Sequence, residues 1–158
     1  NVYLNAIKFF FEEILHKKLT LRFKYSKVPQ TLPVFLTQEE VRKLFEVTVH
    51  PKHKLILQLL YSTGLRVSEL VHLKVCDLEF ERSMGFVRKG KGNKDRLFIL
   101  AQKLAPLLKE YISFHHLGYE SYLFLGQAGK CYSVRSIQAL VKKSARLAGI
   151  TKKIHPHS

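Results

Sequence analysis

Two stretches hold residues whose types and spacing suit chemistry on a phosphate. Thr63-Gly64-Leu65-Arg66-Val67-Ser68-Glu69-Leu70 sets an arginine at the start of an apolar helix, with a carboxylate three residues on. Glu69 or Ser68, about one turn away, can fix the guanidinium through a charge-assisted bond. Leu65, Val67, Leu70 and Val71 would bury such a pair. A partly buried guanidinium presents planar, paired donors to the non-bridging oxygens of a phosphate. Taken alone, the same residues also read as a structural helix ion pair.

The second stretch is Gly90-Lys91-Gly92-Asn93-Lys94-Asp95-Arg96, between two strand-like runs. Glycines on both sides of Lys91 let the backbone turn tightly and approach a ligand. Lys89, Lys91, Lys94 and Arg96 crowd this tip. One reading is a solvated basic hairpin that touches a polyanion without chemistry. The other has Lys91 reach a leaving oxygen and hand it a proton. Gly85 to Gly92 nearly spells a nucleotide-binding P-loop, but Gly92 stands where Ser or Thr would hold magnesium, and a strand follows instead of a helix. His155 and His157 flank Pro156, with no cysteine or carboxylate cluster nearby to complete a metal site. His50, His53, His115 and His116 read as surface residues on basic helices.

Periodicity supplies the elements that position these residues. Leu4, Ile7, Phe10, Phe11, Ile14 and Leu15 make one face of a helix predicted from Val2 to Lys17. Lys18 to Leu36 is basic, carries Pro29 and Pro33, and reads as a linker and domain boundary. Thr37-Gln38-Glu39-Glu40 is a capping box. Pro51 opens a largely apolar helix that Gly64 ends. A short helix from Arg66 to Leu73 and a strand from Leu78 to Glu81 are predicted next. Gly85 to Arg88 and Arg96 to Leu100 form the hairpin arms. Lys103 to His115 is helical, Tyr122 to Leu125 extended, and Ser133 caps a last helix ended by Gly149. The fold class is mixed α/β and mainly helical, a bundle with a small antiparallel sheet. The pattern is already mid-helix at Asn1, so a fragment is expected.

The charge balance points the same way as the motifs. The 158 residues hold 27 Lys and Arg against 12 Asp and Glu, a net charge of +15. Such a field draws polyanions, with nucleic acid first and an anionic membrane second. No apolar run is long enough to span a bilayer. Cys76 and Cys131 have neither metal-ligand nor redox spacing and read as free buried thiols in a reducing compartment, so a cytoplasmic protein is expected.

Together these residues resemble the tyrosine recombinase (phage integrase) family, in particular Xer-type and integron-type integrases. Thr63 to Leu70 looks like the segment of the family's first catalytic arginine, and Gly90 to Arg96 like the hairpin of its catalytic lysine. Pro156-His157-Ser158 looks like the opening of its His-x-x-Arg box, and Pro33 to Val41 like the start of its catalytic domain. The resemblance implies a recombinase catalytic domain from residue 31 to 158, incomplete at its C-terminal end. Residues 1–30 would hold the last helix of an N-terminal core-binding domain plus the linker.

The resemblance also implies roles. Arg66 would stabilise charge on the phosphoryl oxygens and Lys91 would be the general acid on the leaving 5′-oxygen. His157 would assist proton transfer, and Glu69 would buttress Arg66. Lys89, Lys94, Arg96, Arg135 and Lys142 are candidate contacts to the backbone of duplex DNA. No metal, nucleotide or other cofactor is expected, and the family works as a tetramer on two duplexes. The chain ends before the arginine of the His-x-x-Arg box and before a nucleophilic tyrosine; Tyr61, Tyr111 and Tyr132 lie in the wrong contexts to replace it. The fragment alone is therefore expected not to cleave DNA. Two other readings compete: a non-catalytic DNA-binding remnant of an integrase, and an unrelated basic RNA-binding helical protein.

Overall fold

The structure, a computed structural model, describes residues 2–18, 34–88, 95–126 and 129–152. The chain divides into two units, Asn1–Leu32 and Pro33–Ser158. In the first, α1 (Val2–Phe9) runs into a π-helical turn, Phe10–Ile14, so the predicted single helix changes its hydrogen-bond pitch halfway. Leu15 N–H closes that turn on Phe10 O at 3.1 Å. The apolar stripe read from the sequence is present, and Ile7, Phe10 and Ile14 on it are exposed. Most of the predicted linker lies outside the described residues.

The second unit begins its helices where the caps predict. Thr37 Oγ1 accepts the Glu40 amide at 3.2 Å and Glu40 Oε2 accepts the Thr37 amide at 2.7 Å, which opens α2 (Gln38–Val47). Pro51 sits in the first turn of α3 (Pro51–Thr63), where its missing N–H leaves no bond unmade. Gly64 ends α3 in the left-handed region, at φ 60°, and donates to Leu60 O at 3.1 Å. This reversal delivers Leu65 and Arg66 directly to α4 (Val67–His72).

Three antiparallel strands follow: β1 (Leu78–Glu79), β2 (Met84–Val87) and β3 (Arg96–Ile99), in the order β1-β2-β3. β1 is shorter than the predicted run to Glu81, because the chain already turns at Phe80, where Ser83 N–H meets Phe80 O at 3.2 Å. The register pairs Gly85 with Phe98 and Val87 with Arg96. Tyr122 and Leu125, predicted extended, make isolated bridges to Lys74 and Cys131. Helices α5 (Leu104–Phe114) and α6 (Val134–Leu147) complete the unit, the latter capped by Ser133 Oγ on the Ser136 amide at 3.0 Å.

Two apolar clusters hold these pieces together. The larger joins α3, α4, the sheet, α5 and α6 through residues such as Ile56, Leu59, Leu70, Phe98, Leu108 and Ile137. The smaller holds Leu44 of α2, Leu57 of α3, and Val141 and Ala145 of α6. The Phe98 ring points its para carbon at Gly85, and a Cβ there would collide with it. Gly85→Ala is therefore expected to lower stability by about 1–3 kcal/mol through overpacking. Urea unfolding would register this as a lower midpoint at unchanged slope.

Candidate active site

Arg66 stands just before the first turn of α4 with extended backbone, φ −68° and ψ 149°. Leu65 and Val67 on either side are 2% exposed, so the main chain is gripped there while the long side chain reaches outward. Glu69, one turn on, is the buried anion of the site: its side chain is 5% exposed. Its Oε1 accepts Arg66 Nη1 at 2.7 Å and its Oε2 accepts the Arg66 amide at 2.9 Å. Of the two partners that the sequence allowed, Glu69 is thus the one that holds the guanidinium. The Ser68 carbonyl oxygen faces His72 Nδ1 instead, at 2.7 Å.

A third donor comes from β3. Arg96 Nη2 donates to Glu69 Oε2 at 2.6 Å and approaches the Gly64 carbonyl at 3.4 Å. One buried carboxylate therefore serves two guanidiniums. Arg66 keeps 47% of its side chain exposed and Arg96 35%. Burial is the largest influence on the Glu69 pKa and pushes it up. The Arg96 bond, the Arg66 amide and the Arg66 guanidinium together outweigh it and hold the pKa at about 2. Glu69 is a permanent anion at neutral pH.

The other hairpin arm is fastened in the same manner. Arg88, after β2, donates through Nε to Asp77 Oδ1 at 2.8 Å, and Asp77 Oδ2 accepts the Lys74 amide at 3.0 Å. Asp77 is 5% exposed. Its hydrogen bond and charge raise the Arg88 pKa. In the sequence, Asp77 is marked by its place three residues after Lys74, a backbone-capping spacing. Lys91 itself lies outside the described residues, as do Lys89, Lys94 and His157.

Arg135 and Lys142 lie seven residues apart on the exposed side of α6, while Ile137, Val141 and Ala145 face the core. Seven residues are close to two helical turns, so both cations share one outward stripe. Three of the described tyrosines are engaged elsewhere. Tyr111 is buried beside Phe124, and burial pushes its pKa up to about 12. Tyr132 lies under Lys52 Nζ at 5.2 Å from the ring centroid, with its hydroxyl 3.4 Å from His53 Nε2. Tyr61 packs edge-on against Phe45. Cys76 and Cys131 are free and half-buried, and burial raises the Cys76 pKa. Among the described residues no three His, Cys, Asp or Glu side chains gather as a metal site, and no helix is long and apolar enough to cross a membrane.

Residues 34–158 match the phage integrase family. The chain belongs to the phage integrase family. The tyrosine recombinase XerA of Pyrococcus furiosus is 40% identical over 163 residues, across 99% of this chain and 56% of its own length. The tyrosine recombinase XerD of Oceanobacillus iheyensis is 34% identical over 172 residues, across 99% of this chain and 57% of its own length. Among solved structures, that of XerA recombinase aligns with a TM-score of 0.72 at 30% identity, over 98% of this chain and 56% of its own. XerH recombinase bound to its difH substrate aligns at 0.73 over 98% of this chain and 50% of its own, and at 24% identity supports the fold alone. This member of the phage integrase family thus spans about half the length of the relatives it matches. The family and the fold class expected from the sequence, a helical bundle with a small antiparallel sheet, are both borne out.

Proposed function

We propose that this chain is part of a site-specific DNA recombinase that cuts and rejoins strands through a phosphotyrosine intermediate, and that Arg66 binds the scissile phosphate. The observation that carries the reading is the Arg66 guanidinium, held by the buried Glu69 yet half-exposed, on a segment that resembles the family's arginine motif and lies inside the stretch matching the family. A tyrosine placed by the resemblance beyond His157 attacks the phosphodiester, forms a 3′-phosphotyrosyl link and releases a 5′-hydroxyl. A second strand's hydroxyl reverses the step. Arg66 stabilises the charge that develops on the phosphoryl oxygens. Lys91 protonates the leaving 5′-oxygen, His157 assists proton transfer, and Glu69 holds Arg66 in place.

In this reading residues 31–158 are catalytic-domain sequence and residues 1–30 end a core-binding domain; the division of the chain at Leu32 supports that boundary. Duplex DNA is the substrate, the working assembly is a tetramer on two duplexes, and the compartment is cytoplasmic. Lys89, Lys94, Arg135 and Lys142 contact the DNA backbone. Arg96, already engaged by Glu69, is the least available of the five cations predicted for that task.

Binding of this chain to a DNA duplex across a salt series tests the interface. Arg135→Ala and Lys142→Ala are each expected to weaken all sequences about equally and to lower the log–log salt slope by about one unit. A nicked suicide duplex tests the chemistry: the full-length protein is expected to form a covalent adduct that Arg66→Ala forms far more slowly. Binding without any adduct would favour the non-catalytic remnant. No duplex binding at low salt would sink the proposal.

A further inference from the structure

We propose that Arg96 is a positioning residue: it engages Glu69 from the far side, and so leaves Arg66 a cation able to hold a DNA phosphate. This deepens the reading above and rests on Arg66 being the phosphate ligand. It replaces the expectation that Arg96 touches the DNA backbone itself.

Charge counting carries the argument. Glu69 alone with Arg66 would be a neutral pair, and a neutral pair has no net attraction for an anion. With Arg96 these three side chains hold two positive charges and one negative, a net +1 shared by two guanidiniums of which Arg66 is the more exposed. Geometry agrees. Oε2 of Glu69 is shared by Arg96 Nη2 at 2.6 Å and the Arg66 amide at 2.9 Å, so only Oε1 is left to bind the Arg66 guanidinium, at Nη1. Without Arg96, Oε2 loses its strongest donor and turns toward Arg66, where a carboxylate and a guanidinium prefer a two-bond fork. That fork would commit one edge of the Arg66 guanidinium to Glu69, offset its charge, and leave fewer of its five donors for a phosphate. The Arg96 Nε is buried without a hydrogen-bond partner, which shows how tightly this side chain is packed against the protein. A side chain free to wrap around a DNA strand would keep that group in water.

A double-mutant cycle on duplex binding by this chain separates the two roles. Arg96→Ala is expected to weaken binding about tenfold in the natural background but by a factor of about two or less beside Glu69→Gln, which has no anion to redirect. Arg96→Lys, which restores a cationic donor to Glu69, should recover most of the loss. If Arg96 were a direct phosphate contact, the loss would be equal in both backgrounds, and that result overturns the proposal.

Should Arg96→Ala fail to fold, Arg96→Gln keeps a hydrogen-bond donor and removes the charge. Its Glu69 carboxyl, followed by carbon NMR, is expected to titrate at clearly higher pH than in the natural protein. An unmoved midpoint overturns the proposal equally. A natural chain indifferent to duplex DNA at low salt defeats the functional reading itself, and this proposal with it. Equal losses in a chain that does bind defeat this proposal alone.

Discussion

Glu69→Ala is expected to lower the unfolding free energy by about 3 kcal/mol at pH 7, the scale seen when one partner of a buried ion pair is removed. The loss has three sources. Arg66 and Arg96 are left facing each other without their shared anion. The Arg66 amide at the start of α4 loses its acceptor. The space of the buried side chain is emptied. The pH dependence follows from the same contacts. The folded pKa of Glu69, about 2, lies below its ordinary value of 4.5, so the ionised form favours folding. That contribution is complete above 4.5, fades as the pH falls, and is gone below about 2; its full size is roughly 3 kcal/mol. Glu69→Gln keeps the shape and removes the proton equilibrium. Urea unfolding from pH 5 down to 2 should therefore show a shallower loss of stability in Glu69→Gln than in the natural chain. Parallel curves would mean that Glu69 is not the ionised anchor of this site.

Arg66→Ala in the full-length protein is expected to slow strand cleavage by about 10²–10³-fold, the range for removing one donor aimed at developing charge. Duplex binding should fall far less, because many other cations share the DNA backbone. Arg66→Lys keeps the charge but loses the planar fork, so one donor cannot hold Glu69 and a phosphate together. It should behave much more like the alanine variant than like the natural protein. Single-turnover appearance of the covalent adduct on a nicked duplex measures the chemical step directly. A cleavage rate within tenfold of normal in Arg66→Ala would remove Arg66 from the chemistry.

The parts of this architecture that were legible in the sequence are those set by neighbours. Thr37 with Glu40, Ser133 with Ser136, Gly64 with Leu60 and Arg66 with Glu69 each lie within four residues, so spacing alone names the partners. The hairpin was legible too, since alternation and a glycine-rich turn are local signals. The bond from Arg96 to Glu69 crosses 27 residues and depends on how the sheet lies against α4. No periodicity encodes it, and Arg96 read as one more cation on a basic tip. Arg88 and Asp77 were hidden for the same reason. The π-helical turn at Phe10–Ile14 leaves the hydrophobic period almost unchanged, so the sequence could not announce it. The early end of β1 reflects a turn from Phe80 to Ser83 in which Ser83 is the one turn-favouring residue.

Helix α3 sends Leu57 into one apolar cluster and Ile56 and Leu59 into the other, and α6 divides Ile137 from Val141 and Ala145 in the same way. Two rods thus serve as shared walls between the two interiors. Neither interior can melt while leaving its neighbour intact, because each would strip a wall from the other. The second unit is built to come apart in a single step, with calorimetric and van't Hoff enthalpies in agreement.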